Sequence, residues 1–153
     1  MKTLFALLIL PILGFIRTLQ LQRSPLQKEF LKGKIPKTSP NGFYKGTAYG
    51  LRRTAWQGKK FDAKTNTGIN IMKKGEGTEE QFAFISSVGP GLRDTSIQVL
   101  KIDYSQTKKP FWVRIILDEV VETAPGTLLG KVHVRLIPGF PFTVGFFKLE
   151  KEN

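Results

Sequence analysis

Apolar and polar residues alternate in short segments from residue 41 to the end of the chain. Turn-forming residues separate these segments at near-regular spacing, which is typical of an all-β sandwich or barrel. Val, Ile and Phe dominate the segments, and these residues favour strands. The pattern predicts strands at residues 43–49, 56–62, 68–72, 81–88, 97–104, 111–118, 128–137 and 142–150.

Two details refine this prediction. A hairpin turning at Pro125-Gly126 adds residues 120–122 as a further strand arm, so about eight to nine strands are expected. Residues 111–121 could instead be helical, because a short apolar run fits both structures. Consecutive antiparallel strands with short links close best into a barrel, which leaves no exposed edges. We therefore expect a small antiparallel up-and-down, lipocalin-like β-barrel over residues 41–153.

Residues 1–22 follow a different pattern, with an almost unbroken apolar run at residues 4–16. The run predicts an apolar helix, although a membrane-spanning helix usually needs about 20 apolar residues. Pro11 lies in the middle of the run, and Arg17 ends it. Three interpretations stay open: a retained anchor that spans the membrane or lies on it, a cleaved secretory signal, and a helix packed on its own domain. No Ala-x-Ala cleavage pattern follows the run, which argues against the signal.

The positive charge is concentrated beside this run, because half of the net charge of +12 lies within residues 1–40. Residues 23–40 combine cations with prolines and are expected to form a basic tether. Anionic lipid headgroups attract such cations, at about 1 kcal/mol for each. We therefore predict membrane association with the domain on the cytoplasmic face; secretion after signal cleavage is the alternative. The cations expected to face the membrane surface are Arg17, Arg23, Lys28, Lys32, Lys34 and Lys37.

A charge of this size also suits a nucleic-acid partner. Cations flank Tyr44 and Trp56, as they flank stacking aromatic residues in proteins that bind single strands. However, the apolar run would have no role in nucleic-acid binding, and half of the excess charge lies outside the domain. We expect membrane lipids as the partner of residues 1–40, with a membrane protein complex as a further candidate.

No catalytic constellation stands out in the sequence. The chain has no cysteine, which excludes disulfides and thiolate chemistry. The serines have only His133 as a base, and there is no G-x-S-x-G elbow or phosphate-binding fingerprint. Asp118 and Glu119 are adjacent, so on a strand they point to opposite faces, and we expect solvated charge at a strand end. We therefore predict neither catalytic residues nor a cofactor.

His133 is the single histidine and could in principle hold haem or a metal ion, or act as a general base. It lies between Lys131 and Arg135 on one face of the predicted strand, where positive charge would repel a metal ion. The sequence therefore predicts a surface or hydrogen-bonded histidine and no metal site.

Two motifs near the start of the domain are distinctive. Residues 42–46 read Gly-Phe-Tyr-Lys-Gly, and residues 56–61 read Trp-Gln-Gly-Lys-Lys-Phe. Together with later stretches at 118–122, 127–132 and 145–150, they resemble the bacterial GXWXG-type domain family, whose members have no assigned biochemical function. Tyr44 takes the tryptophan position of that family. The motif positions that we expect to be structural are Gly42, Gly46, Gly58, Lys59 and Phe61.

An aromatic residue between two glycines can close one end of a barrel. This arrangement resembles that of lipocalin-like barrels, which have a G-x-W motif with a cation from a late strand stacked on the tryptophan ring. By analogy, a cation from a late strand would stack on the ring of Tyr44 or Trp56, and this cation–π contact would contribute about 0.5–2 kcal/mol of stability. The candidate cations are Arg114, Arg135 and Lys148.

These patterns favour a membrane-tethered, non-enzymatic barrel that binds an apolar or amphipathic small molecule, such as a lipid-derived one. The residues predicted to line its mouth are Tyr44, Trp56, Phe82, Phe84 and Trp112, with core packing as the alternative for each. A structural or assembly subunit of a membrane protein complex is the second candidate, and an enzyme acting on a polar small molecule is the third. A cavity would separate the first candidate from the second, because ligand pockets typically hold about 300–1,000 Å³.

Overall fold

Eight antiparallel strands form a closed barrel, in which each strand pairs with the next and the last pairs with the first. The computed structural model describes residues 2–50, 54–108 and 110–152, with side chains from residue 9 onward. The strands are β1 (Gly42–Ala48), β2 (Trp56–Asp62), β3 (Thr67–Lys74), β4 (Gly77–Pro90), β5 (Gln98–Asp103), β6 (Ile116–Ala124), β7 (Thr127–Ile137) and β8 (Phe140–Lys151). Helices α1 (Lys2–Gln22) and α2 (Pro25–Lys32) precede the barrel. The expected antiparallel barrel after an N-terminal helix is confirmed, with eight strands.

The predicted strand at residues 111–118 is wrong in its first half. Phe111–Ile115 forms a short 3-10 helix, and β6 begins only at Ile116. The Val113 amide donates to the Pro110 carbonyl, and the Val113 carbonyl accepts from the amide of Ile116. A short apolar run fits a single helical turn as well as a strand, so periodicity alone could not separate the two.

Aromatic rings fill the barrel interior near the start of β1 and the end of β2. The Tyr44 and Phe61 rings lie edge to face with centroids 5.5 Å apart, and the Phe61 and Phe84 rings do so at 5.3 Å. Leu128 and Leu149 complete this part of the core. Such aromatic pairs add about 0.5–1.5 kcal/mol each beyond the burial of their surface. This end of the barrel is therefore filled by side chains.

Two glycines shape the interior beside β1 and β2. A Cβ atom on Gly46 would lie 2.4 Å from the Trp56 ring, so the indole occupies space that only glycine leaves free. Gly58 has a φ of +146°, and a Cβ atom there would lie 2.1 Å from the Tyr44 carbonyl oxygen. The pairing of β2 with β3 shifts between Trp56 and Gly58, which marks a β-bulge. The extra residue places both Trp56 and Lys59 inside the barrel, although they are three positions apart.

Helix α2 packs on the outside of the barrel. Ser24 caps its first turn by accepting from the Gln27 amide. Phe30 is completely buried in a cluster with residues of β5, β6, β7 and β8. Beside it, the Lys131 ammonium lies 2.6 Å from Asp94 and 2.8 Å from the Gln27 side-chain oxygen. This buried ion pair links α2, the loop before β5 and the outer face of β7.

Helix α1 lies against the first half of β8 through its smaller residues. Gly14 faces the Phe142 ring, at 3.0 Å from where its Cβ atom would be. The Thr18 hydroxyl accepts from the Thr143 amide at 2.9 Å. Small side chains allow this close approach, and they leave the larger apolar residues between Ile9 and Leu19 on the other sides of the helix.

Asp118 and Glu119 are buried, so the predicted solvated charge at a strand end is wrong. They point to opposite faces of β6, as their adjacency requires, but both faces are covered. Glu119 faces outward and lies 3.0 Å from Nε2 of His133, whose Nδ1 lies 3.1 Å from the Thr143 hydroxyl. His133 is therefore fully buried and hydrogen-bonded. Sequence alone did not show that helices would cover the outer face of these strands.

Candidate functional site

A cavity of about 440 Å³ opens at the barrel end where β1, β3, β5 and β7 finish. Its volume lies within the range of sites for small molecules, about 300–1,000 Å³. Apolar side chains form most of its wall, including Trp56, Met72, Phe82, Trp112, Val132 and Phe147. The barrel is therefore filled at one end and hollow at the other.

Four buried polar side chains line the same cavity, and we call them the polar cluster: Lys59, Asn70, Tyr104 and Asp118. The Lys59 ammonium lies 2.9 Å from Asp118 Oδ2 and 2.9 Å from Asn70 Oδ1, and it also donates to the Tyr104 hydroxyl. Tyr104 in turn donates to Asp118 Oδ2 at 2.8 Å. Three strands and the residue after β5 thus meet in one hydrogen-bonded group inside an otherwise apolar barrel.

Burial changes the proton affinity of two of these groups. It lowers the pKa of Lys59 below the ordinary 10.5, and attraction to the Asp118 carboxylate opposes that change. Burial, followed by the negative charge of Asp118, raises the pKa of Tyr104 well above 10.0. Tyr104 therefore stays a hydrogen-bond donor at neutral pH. The three protons of the Lys59 ammonium are directed at three different partners.

The predicted source of the cation for the aromatic residues is wrong. The Lys59 ammonium, on the early strand β2, lies 5.2–5.5 Å from the centroids of four rings, which belong to Trp56, Phe84, Tyr104 and Phe147. The three cations proposed from the sequence have other partners. Arg135 pairs with Asp103, Lys148 pairs with Glu150, and Arg114 donates to the Ser105 carbonyl. The bulge at Gly58 turns Lys59 inward, and this could not be read from alternation alone.

Asn70 holds two residues of the cavity wall. Its Oδ1 accepts from the Trp56 indole N–H at 2.9 Å, and its Nδ2 donates to the Phe82 carbonyl at 3.1 Å. Phe82 has a φ of +56°, a left-handed conformation that is unfavourable for an aromatic residue. The pairing of β3 with β4 shifts at this point. Strain of this kind is retained where surrounding structure enforces it, and here it aims an aromatic ring into the cavity.

Three of the five residues predicted to line the mouth, Trp56, Phe82 and Trp112, lie in the cavity wall. Tyr44 and Phe84 are 6% and 2% exposed and belong to the core beneath it. Core packing, the alternative weighed for each residue, thus describes these two.

The polar cluster as a group was not evident from the sequence. Lys59 was expected to be structural, Asp118 was expected in solvent, and Asn70 and Tyr104 were not singled out. One signal was present: Asn70 lies between Ile69 and Ile71 inside a predicted strand. An isolated polar residue on a buried strand needs a partner, because an unpaired buried polar group is costly.

Exposed apolar side chains lie at the end of the barrel where the cavity opens. Phe111 and Phe140 are 78% and 69% exposed, and Trp112 is 52% exposed. Helix α1 adds a second apolar surface, because seven large apolar side chains in the part of it with described side chains are exposed: Ile9, Leu10, Ile12, Leu13, Phe15, Ile16 and Leu19. Its contacts with the start of β8 place this surface at the same end of the barrel as the opening.

The six cations predicted to face a membrane do not form one patch. Arg17 lines the cavity opening and donates to the Val144 carbonyl. Lys34 pairs through its backbone with Glu122, near the far end of β6, and the Lys37 amide donates to the Glu122 carboxylate. The tether thus runs along the barrel toward its filled end. Arg23, Lys28 and Lys32 lie exposed between these positions, in and before α2.

Comparisons with known proteins inform the fold alone. No family model and no curated protein matches the chain. A crystal structure of a protein from Thermomonospora curvata has a similar fold, with a TM-score of 0.58 and 14% sequence identity. The alignment covers 86% of this chain and 88% of that one. Among the described residues, no helix has the length and apolarity needed to cross a membrane.

Proposed function

We propose that this protein is a non-enzymatic barrel, held at a membrane surface, that binds one apolar or amphipathic small molecule. The cavity of about 440 Å³ is the observation that carries this proposal. An apolar wall around a few converging polar groups is the usual construction of small-molecule sites. Up-and-down barrels of the lipocalin type hold one small ligand in the same way.

The membrane part of the proposal rests on the exposed side chains of α1. The surface of a soluble monomeric protein rarely exposes a large continuous apolar patch unless the patch binds a partner or a membrane. A helix lying in the membrane interface would bury this patch and bring the cavity opening next to the lipid. An apolar ligand could then exchange between bilayer and cavity without crossing water. The cytoplasmic face is the side we propose, because the anionic lipids of the cytoplasmic leaflet would attract the positive charge of residues 1–40.

Native mass spectrometry tests the binding proposal. Full-length protein, extracted mildly from the membranes of its host, should carry a bound small molecule. Val132→Phe, which places a larger side chain in the cavity wall, should lose that mass. Leu136→Phe is the matched control, because Leu136 lies on the same strand but is 49% exposed. A wild-type protein without any bound mass, or equal loading of all three proteins, would contradict the proposal.

The second candidate is an assembly subunit of a membrane protein complex, and the exposed apolar residues of α1 favour it. In that case α1 would pack on an integral membrane partner. Ile12→Ser with Ile16→Ser should then abolish copurification of a stoichiometric partner, whereas Leu31→Ser on the exposed side of α2 should not. Retention of the partner by the α1 variant would reject this candidate.

A further inference from the structure

The polar cluster has one hydrogen-bonding position left over, and it is an acceptor. All three protons of the Lys59 ammonium point to partners within the cluster, and the Tyr104 proton goes to Asp118 Oδ2. Asp118 Oδ1 makes no hydrogen bond to any residue in the described part of the chain. Over the same residues, no fully buried side-chain nitrogen or oxygen lacks a partner. Asp118 Oδ1 has no partner there, so it is not fully buried. Because Asp118 lines the cavity, this oxygen is accessible from the cavity.

From this arrangement we infer that the cavity selects an uncharged ligand with a hydrogen-bond donor on an apolar body, such as a medium-chain alcohol. The donor hydroxyl binds Asp118 Oδ1, and the apolar chain lies between Trp56 and Trp112 toward the opening. This inference rests on the proposed function, since it names the ligand class of the same cavity.

The same arrangement disfavours a carboxylate at the cluster. Lys59 and Asp118 already compensate each other's charge, so an added carboxylate would bring an unpaired negative charge into an apolar space. The ligand carboxylate would also bring a second acceptor opposite Asp118 Oδ1, and neither carboxylate could donate a hydrogen bond to the other. Among the cavity residues that the structure describes, Arg17 is the one cation outside the cluster, and it is exposed at the opening. An exposed ion pair there would contribute little.

A site built to hydrogen-bond one group rejects analogues that lack it, because its own polar atom is then left unpaired. Three probes with the same chain separate the possibilities: decanol, decyl methyl ether and decanoate. Decanol can donate, the ether can only accept, and decanoate at neutral pH is a charged acceptor. The chain has two tryptophans, Trp56 and Trp112, and both line the cavity. Their fluorescence therefore reports binding there.

The experiment titrates full-length protein in lipid nanodiscs with each probe and follows tryptophan emission. Val132→Phe provides the baseline for partition into lipid. Decanol should bind at least tenfold more tightly than the ether or decanoate, which corresponds to about 1.4 kcal/mol. In Asp118→Asn, which removes the negative charge beside Lys59, the preference for decanol over decanoate should fall or reverse. If this variant does not fold, the three-probe series on the wild type decides alone.

The outcomes separate this inference from the proposed function. Decanoate or ether binding as tight as decanol would overturn the inference while leaving a ligand-binding barrel intact. Decanoate binding that is lost in Arg17→Gln would overturn it in the same way and place the charged group at the opening. If none of the three probes changes the tryptophan emission of the wild type beyond the Val132→Phe baseline, both the inference and the proposed function are contradicted.

Discussion

Replacing Lys59 with Met removes the cation at the centre of the polar cluster and tests how that cluster is held. Met matches the Lys side chain as far as Cε, so the change removes mainly the ammonium group, with its charge and three hydrogen bonds. Breaking a buried ion pair by removing one partner costs about 3–5 kcal/mol, because the other charge stays buried without compensation. The loss of contacts with four aromatic rings adds to this cost. We expect a decrease of at least about 3 kcal/mol in the free energy of unfolding.

Asp118→Asn should rescue much of this loss, because the double variant leaves no unpaired charge in the barrel. Urea unfolding of the full chain, followed by circular dichroism, gives the free energies of both single variants and the double variant. Lys60→Met is the matched control: Lys60 is the next residue, its side chain is 58% exposed, and its ion pair with Glu80 spans 3.4 Å. It should change stability by less than about 0.5 kcal/mol. A Lys59→Met cost no larger than that of the control, or a double variant no more stable than Lys59→Met, would show that Lys59 and Asp118 do not act as a buried ion pair.

Three further predictions concern packing and pH. Gly46→Ala should destabilise by about 1–3 kcal/mol, because its Cβ atom would overlap the Trp56 ring; unchanged urea unfolding would show that the ring can move aside. Phe30→Ala should cost about 3–5 kcal/mol by emptying the cluster under α2, and a loss below about 1 kcal/mol would mean that α2 is not firmly docked. In a Tyr104→Phe background, which removes the titration of Tyr104, the stability lost on Lys59→Met should be smaller at lower pH and larger toward pH 10.5, because the folded state lowers the pKa of Lys59 and so binds fewer protons there than the unfolded state. A Lys59→Met cost that stays the same in urea unfolding at several pH values would contradict this.

The barrel could be predicted from the sequence because its signals are local. Alternating apolar segments and turn residues repeat along the domain, and closure follows from the number of strands and their short links. The segment at 111–118 failed because one helical turn and one short strand share the same apolar spacing.

The polar cluster could not be predicted in the same way, because its geometry depends on two irregularities of the sheet. The bulge at Gly58 turns Lys59 inward, and the positive φ of Phe82 accompanies a register shift beside Asn70. Neither leaves a clear mark in a pattern of alternation. Asp118 was expected in solvent for a simpler reason, because two adjacent charged residues usually lie on the solvent-exposed surface.

The outer face of β6 and β7 shows the third reason. Glu119, Lys131 and His133 form a polar face that alternation assigns to water, yet α2, the loop before β5 and the contacts of α1 with β8 bury it. Whether a polar face meets solvent or another part of the chain depends on contacts between distant residues. These contacts also explain why the basic tether lies along the barrel.

A crystal structure of the full-length protein grown with decanol would show whether the cavity binds an uncharged ligand through Asp118. We expect one decanol molecule in the cavity, with its chain between Trp56 and Trp112 and its hydroxyl within hydrogen-bond distance of Asp118 Oδ1. A cavity closed by its own side chains at saturating decanol, or decanol bound only along α1, would show that the cavity is not the binding site.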